Sequence, residues 1–412
     1  MARGAPFDAA RDKAVDGMEE RDRRLAHELA AGVLRRRGDL DTALAPYAEH
    51  GWESVKPKLR DILRLGAYQL LELDKVPAHA AVGTSTELAK KVVGERAAKF
   101  VNAMLRKLSA DGAPSGSSAG SRRSHPAWLV IRWDARFGVE GTKDLLLWND
   151  TPPPLVIQPA RRSLDELEAT LRAEGIYVRR APYDAGLVVE GRTPTAIPGY
   201  AEGAFTVQDP AQAIVARFAA LPDSGTIYDA CAAPGGKTIA IGRTLGRAGA
   251  RVIAGDRNVA RARRLKQNLA RAGSGREFPI AADAASAPLR PCDAVLLDAP
   301  CLGTGTFARH PDARWKVTPR ALEVIVERQR ELLEGAAPIV KPGGLLVYAT
   351  CSIEPEENER QVDRFLTTHP EFVRERPAGA DAAWLSPAGD LVLLPQVHGT
   401  DGAYAARLRR TQ

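Results

Sequence analysis

Along the first quarter of the chain, apolar positions recur every three to four residues. In "VKPKLRDILRLGAYQLLEL" Leu59, Ile62, Gly66, Leu70 and Leu73 fall on one face, and in "ERAAKFVNAMLRKL" Phe100, Met104 and Leu108 repeat the pattern. Residues 1–111 are therefore expected to be all-helical, with these stripes meeting in a bundle core. The pattern stops at "GAPSGSSAGSRRS", where residues 112–124 carry no large apolar side chain and predict a flexible linker. Residues 125–205 read as a small α/β domain. "PLVIQPA" and "GLVVEG" predict short strands, and "SLDELEATLRAEG" predicts a helix closed by Gly175. From residue 206 to 412 short apolar runs alternate with amphipathic segments. "TIYDA", "RVIAGD", "FPIAAD", "DAVLLDAP" and "GLLVYATC" predict strands, while "ARARRLKQNLARAG" and "LEVIVERQRELLEGA" predict helices. In the second helix Leu322, Ile325, Gln329, Leu332 and Ala336 share one side. This alternation is the signature of a doubly wound, Rossmann-like parallel sheet. The tail "LVLLPQVHGTDGAYAARL" predicts two further strands around a turn.

Composition changes the picture in two respects. The 412 residues are 44% apolar, enough for two or three cores. Lys and Arg number 58 against 51 Asp and Glu, so the formal charge is +7 and a polyanionic partner is expected. The N-terminal "MARGAPFDAARDKAVDGMEE" has no apolar core for a signal peptide, and no run approaches a membrane span. A cytoplasmic chain with reduced cysteines is expected, with no membrane partner. Cys231, Cys292, Cys301 and Cys351 form no CxxC pair and have no clustered His, so no metal site is expected. The cluster Arg35, Arg36, Arg37 reads either as an RNA contact or as a solvated helix end.

Ligands of such sheets bind outside the carboxyl ends of the strands. Here the predicted strands end in Asp229, Asp256, Asp283, Asp298 with Cys301 close behind, and Cys351. The first strand runs into "CAAPGGKT", Cys231 to Thr238, in which Gly235 and Gly236 let the backbone approach a ligand. The turn is neither GxGxxG nor a Walker loop, which excludes a dinucleotide dehydrogenase. Asp256, about twenty residues past Gly235, stands where a carboxylate grips ribose hydroxyls, and Asp283 suits an adenine edge. A nucleoside cofactor without pyrophosphate fits, and S-adenosylmethionine is the expected one. Pyrimidine carbon-5 is too electron-poor to attack a methyl sulfonium until a thiolate adds at carbon-6. That chemistry needs a cysteine within reach of the base and a carboxyl at N3. "LLDAPCLGTG" supplies Asp298 and Cys301, "YATCS" supplies Cys351, and a second thiol can assist release.

At "CAAPGGKT", "LLDAPCLGTGTFARHPDARW", "KPGGLLVYATCSIEPEENE" and "HGTDGAYAARL" the chain resembles the Nop2/Sun family of RNA cytosine-5 methyltransferases. The resemblance implies that Cys351 attacks carbon-6, Cys301 assists breakdown of the adduct, and Asp298 contacts the cytosine beside the cofactor methyl. It also implies that Cys231, Ala232, Ala233, Pro234, Gly235, Gly236, Lys237, Asp256, Asp283 and Asp298 hold S-adenosylmethionine. "ILRLGAYQLLELDKVPAHAAV" and "AAKFVNAMLRKL" resemble the NusB RNA-binding fold. A NusB-like domain ahead of this catalytic domain implies the bacterial Sun/Fmu branch, a monomer acting on 16S ribosomal RNA, naked or in an assembly intermediate. The same chemistry on large-subunit rRNA or tRNA is the alternative. A non-catalytic NusB-like RNA-binding factor is another, disfavoured because both cysteines and Asp298 are intact. The chain departs from the family at Arg314, where a lysine is usual, at Ala403, and at "PLVIQPARR" in the middle domain.

Overall fold

The computed structural model describes residues 7–112, 120–245 and 249–411. Residues 113–119 of the expected linker lie outside the described residues. The chain divides into two compact units, Met1–Pro152 with Phe307–Lys316, and Pro153–Thr306 with Val317–Gln412.

The first unit is helical: α1 (Phe7–Ala14), α2 (Glu20–Arg35), α3 (Arg37–Leu44), α4 (Pro57–Glu72), α5 (Ala78–Val92), α6 (Glu95–Asp111) and α7 (Ala127–Asp150). Pro57 opens α4, where its missing N–H costs nothing. Ile62, Leu63, Met104, Leu105 and Leu108 interlock with Leu40 and Leu44, and Leu59, Leu70, Leu73 and Phe100 line the margin of that core. Each large apolar side chain so removed from water contributes roughly 1.5–3 kcal/mol. Residues 120–124 turn into a short 3-10 helix whose Ser121 and Ser124 hydroxyls donate to Asp39 at 2.6 and 3.1 Å.

Two of the three clustered arginines depart from both sequence readings. Arg35 and Arg36 are buried. Arg35 donates to the Ala308 carbonyl, Arg36 pairs with Glu72 at 3.1 Å, and Arg37 stacks on the Trp315 ring. For Arg35 and Arg37 the reason is the segment Phe307–Lys316, which packs in this unit although its sequence neighbours belong to the other. Arg314 is fully buried there and donates to Asp150 Oδ1 at 2.7 Å and to the carbonyls of Asn149 and Ser124.

The second unit begins with an antiparallel sheet of order β2-β3-β1-β4, built from β1 (Leu155–Pro159), β2 (Val178–Arg180), β3 (Leu187–Val189) and β4 (Phe205–Val207). Helix α8 (Leu164–Ala173) starts at a capping box between Ser163 and Glu166 and buries Leu167 and Leu171 in the sheet's core. Next come α9 (Pro210–Ala219), β5 (Thr226–Asp229), α10 (Gly236–Thr244), β6 (Arg251–Gly255), α11 (Val259–Ala272), β7 (Glu277–Ile280), β8 (Cys292–Asp298), α12 (Pro319–Ala336) and β9 (Val340–Thr350). The chain closes with α13 (Glu359–Thr368), β10 (Phe372–Arg374), β11 (Leu391–Leu393), α14 (Pro395–His398) and β12 (Ala403–Arg410). These strands order as β10-β12-β9-β8-β5-β6-β7, with β11 on β12. Strands β5 to β9 are mutually parallel, and β12 runs antiparallel to β9. The tail strands pair as expected, Leu391 opposite Ala405. Strand order reverses between β5 and β8, and a crevice at such a switch point is where doubly wound sheets take ligands.

Candidate active site

Burial on both faces makes β5, β8 and β9 near-continuous apolar runs, so polar residues gather at their carboxyl ends. Register sets the ends level: Asp229 lies beside Leu296, and Asp298 beside Ala349. The loop after β5 turns through Gly235 at φ 108°, a conformation that disfavours any side chain. A Cβ there would also sit 2.9 Å from Leu265 Cδ1. Helix α10 follows at once, so its first N–H groups, which have no partner within the helix, lie just past the carboxyl end of β5.

Lys237, on the first turn of α10, donates to Asp298 Oδ2 at 2.7 Å and to Gln212 Oε1. The first turn of α10 is thereby tied to the end of β8. Asp229 is fully buried; Thr238 donates to its Oδ2 at 2.6 Å, while Oδ1 has no protein partner. Burial pushes the Asp229 carboxyl up to about 7. Asp256 accepts from the Asn258 N–H at 2.9 Å and pairs with Arg261 at 3.2 Å. Arg261 also donates to the Ala233 carbonyl, so the loop and the end of β6 share one guanidinium. Asp283 accepts from Arg328 at 2.7 Å and caps its own turn at Ala285. Against partial burial, which raises it, these donors hold the Asp283 carboxyl below the usual range. Burial, reinforced by the Asp298 carboxylate, pushes the Cys231 thiol up to about 12, so Cys231 stays a neutral thiol.

The two cysteines of the Pro-Cys and Thr-Cys motifs meet. Cys301 Sγ lies 3.1 Å from Cys351 Sγ, one at the exit of β8 and one at the exit of β9. The hydrogen bond to Cys351, together with burial, pushes the Cys301 thiol well above its ordinary value. Cys301 therefore keeps its proton and can donate it toward Cys351 in a hydrogen bond. The backbone around the pair is fixed by close glycine contacts: Gly305 N–H donates to the Cys351 carbonyl at 3.1 Å, and Gly402 N–H donates to the Gly305 carbonyl at 2.8 Å.

Sequence reasoning did not single out Gln212 on α9, or Glu357 and Asn358 in the acidic run after Cys351. Glu357 and Asn358 are buried against the two cysteine turns. The one signal for them was an acidic run placed directly after a buried strand. Among the described residues no group of three or more His, Cys, Asp or Glu could hold a metal ion, and no helix is long and apolar enough to cross a membrane.

Fold and site together define a Rossmann-like methyltransferase domain behind a NusB-type helical region. Residues 217–409 match the family described as 16S rRNA methyltransferase RsmB/F, residues 1–110 the NusB family, and residues 125–196 the ferredoxin-like domain of RsmF/B-like methyltransferases. The chain is 35% identical to the probable ribosomal RNA small subunit methyltransferase B of Synechocystis, over 98% of this chain and 95% of that one. It is 33% identical to the Pseudomonas putida ribosomal RNA small subunit methyltransferase B, covering 96% and 92% of the two chains. The solved structure of PH0851 superposes with a TM-score of 0.81 at 26% identity, over 96% of this chain and 92% of that one. NSun6 from Pyrococcus horikoshii, solved with SFG, shares the fold at a TM-score of 0.63 and 21% identity, over 70% of this chain and 98% of that one. The chain belongs to the ribosomal RNA small-subunit methyltransferase B family.

Proposed function

We propose that this protein methylates carbon-5 of a cytidine in 16S ribosomal RNA, acting in the cytoplasm as a monomer. The observation that carries the reading is the pair of thiols 3.1 Å apart at adjacent strand exits, beside a carboxylate held by Lys237. The residues fit S-adenosylmethionine: a glycine cradle without room for side chains, and Asp229 Oδ1 buried with no protein partner. Cys231 to Lys237 with Asp256, Asp283 and Asp298 would hold it, and when bound it supplies an electrophilic methyl group. The chain's own residues do the rest. Cys351, as thiolate, adds to carbon-6 and makes carbon-5 nucleophilic. Cytosine N3 and an ionised carboxylate are both acceptors. Asp298 therefore acts by carrying a proton to N3, which neutralises the negative charge that the addition places on the ring, and by taking it back when the double bond returns. In release, water takes the carbon-5 proton, the carbon-6–sulfur bond breaks and the 5,6 double bond returns. Cys301, still protonated, donates a hydrogen bond to the departing Cys351 sulfur. Carbon-6 is reachable only in an unpaired or flipped base, so a single-stranded target is preferred. The helical region supplies RNA affinity, in keeping with the excess positive charge.

Two variants test the roles. Cys351→Ala is expected to abolish methylation and to form no covalent RNA adduct. Cys301→Ala is expected to attack but stall, leaving a protein–RNA adduct on a denaturing gel. An adduct with Cys351→Ala and none with Cys301→Ala would reverse the roles, and methylation by both variants would refute the covalent route. Bisulfite sequencing of RNA from a strain lacking the gene identifies the target. A lost signal in large-subunit rRNA or tRNA instead of 16S rRNA would overturn the substrate assignment.

A further inference from the structure

The acidic run after Cys351 has the composition of a solvated loop, yet its Glu357 is fully buried. Its carboxylate accepts from both cysteine turns. Oε2 takes the N–H of Leu302, the residue after Cys301, at 2.9 Å, and Oε1 takes the hydroxyl of Ser352, the residue after Cys351. Gln329 of α12 completes the cage. Its Nε2 reaches Glu357 Oε2 at 2.9 Å and the carbonyl of Pro300, the residue before Cys301, at 3.0 Å. Tyr348 of β9 holds the Glu357 carbonyl at 2.6 Å. The next residue extends the same hold on the Cys351 side: Asn358 accepts from Thr350 Oγ1 at 2.6 Å and donates to the Ser352 carbonyl at 2.9 Å. Ser352 itself meets Thr304 Oγ1 at 3.1 Å, and the Ile353 N–H reaches that same Thr304 oxygen. A single side chain thus bonds to the residue that follows each sulfur.

We propose that Glu357 is a positioning residue that clamps the Cys301 and Cys351 turns together and so sets the spacing of the two thiols. It touches neither sulfur. The role rests on acceptor geometry, which a glutamine can reproduce: its oxygen can face Leu302 and Gln329 while its amide donates to the Ser352 hydroxyl, an acceptor as well as a donor. The inference builds on the reading that these two cysteines act on the base, and the experiment separates the two.

Glu357→Ala, Glu357→Gln and the milder Ser352→Ala are compared as full-length chains by two readouts. Steady-state methylation of 16S rRNA gives kcat and KM. Oxidation by diamide, with the Cys301–Cys351 disulfide followed by peptide mapping, reads the approach of the sulfurs without reference to catalysis. Its rate is normalised to the thiol ionisation of each variant, because the Glu357 charge also raises the Cys301 thiol. A loosened site of this kind loses about tenfold or more in rate. Glu357→Ala should therefore lose about that much in kcat with little change in KM for RNA, and should form the disulfide more slowly. Glu357→Gln should recover most of both, and Ser352→Ala should fall between. Equal loss in Glu357→Gln and Glu357→Ala would overturn the clamp in favour of a need for charge. Unchanged disulfide formation in Glu357→Ala and Ser352→Ala would overturn it outright. If Glu357→Ala does not fold, Ser352→Ala against Glu357→Gln decides by the same criteria. If the cysteine variants show that the thiols do not act on the base, the disulfide rates still decide the clamp.

Discussion

Asp229 and Glu357 are carboxyls that burial pushes up to about 7, and Glu354 adds like charge at Glu357. The native state keeps protons there that the unfolded chain has already released above its ordinary carboxylate range. Folding stability therefore falls as pH rises from about 4.5 to about 7 and levels off above it. Glu357→Gln removes one of the two titrations, worth on the order of 3 kcal/mol across that window. Urea denaturation between pH 4.5 and 8 should show a flatter profile for Glu357→Gln than for the parent chain. An identical profile would mean that Glu357 titrates normally and is not held as the contacts imply.

Two loops far apart in sequence meet behind the thiols, and they meet through glycine. A Cβ on Gly305 would lie 2.6 Å from Gly402 Cα and 2.8 Å from the Cys351 carbonyl oxygen, distances that backbone atoms cannot accommodate. Gly305→Ala must push the turn before β12 away from the end of β9. Overpacking of this kind costs about 1–3 kcal/mol, and the displaced backbone carries Cys351. Thermal unfolding should show a lower midpoint, with methylation falling further than the loss of folded protein explains. Wild-type activity in Gly305→Ala would show that the turn relaxes without moving the cysteine.

Across the whole molecule, chain order and compact unit disagree. Phe307–Lys316 follows the Cys301 turn in sequence but packs with residues 1–152, where Arg314 and Asp150 are both shut off from water. This is the position at which the family resemblance implied lysine. A planar guanidinium serves Asp150, Asn149 and Ser124 at once, which a single ammonium does less well. Arg314→Ala leaves the Asp150 carboxylate buried without its ion-pair partner, although the Gly120 N–H still donates to it at 3.0 Å, a loss of about 3–5 kcal/mol. Chemical denaturation of the full chain measures it, and a loss below about 1 kcal/mol would show that water replaces the arginine.

The sequence by itself determined the elements and the strand-end chemistry. Helical stripes such as Ile62, Met104 and Leu108, and apolar strands ending at Asp229, Asp298 and Thr350, are one-dimensional patterns written by burial on one face or on both. Cys301 and Cys351 were legible as candidates for the same reason: each stands where a buried run stops. Tertiary structure alone decided what long-range packing controls. It buried Arg35, Arg36 and Arg314, whose charge in sequence reads as surface, because carboxylates and carbonyls from distant segments converge on them. It joined Lys237 to Asp298 across the switch between β5 and β8. It also drew Glu357 inward, because only the folded chain brings Leu302, Gln329 and Ser352 within hydrogen-bonding distance of one carboxylate, and no local pattern encodes that convergence.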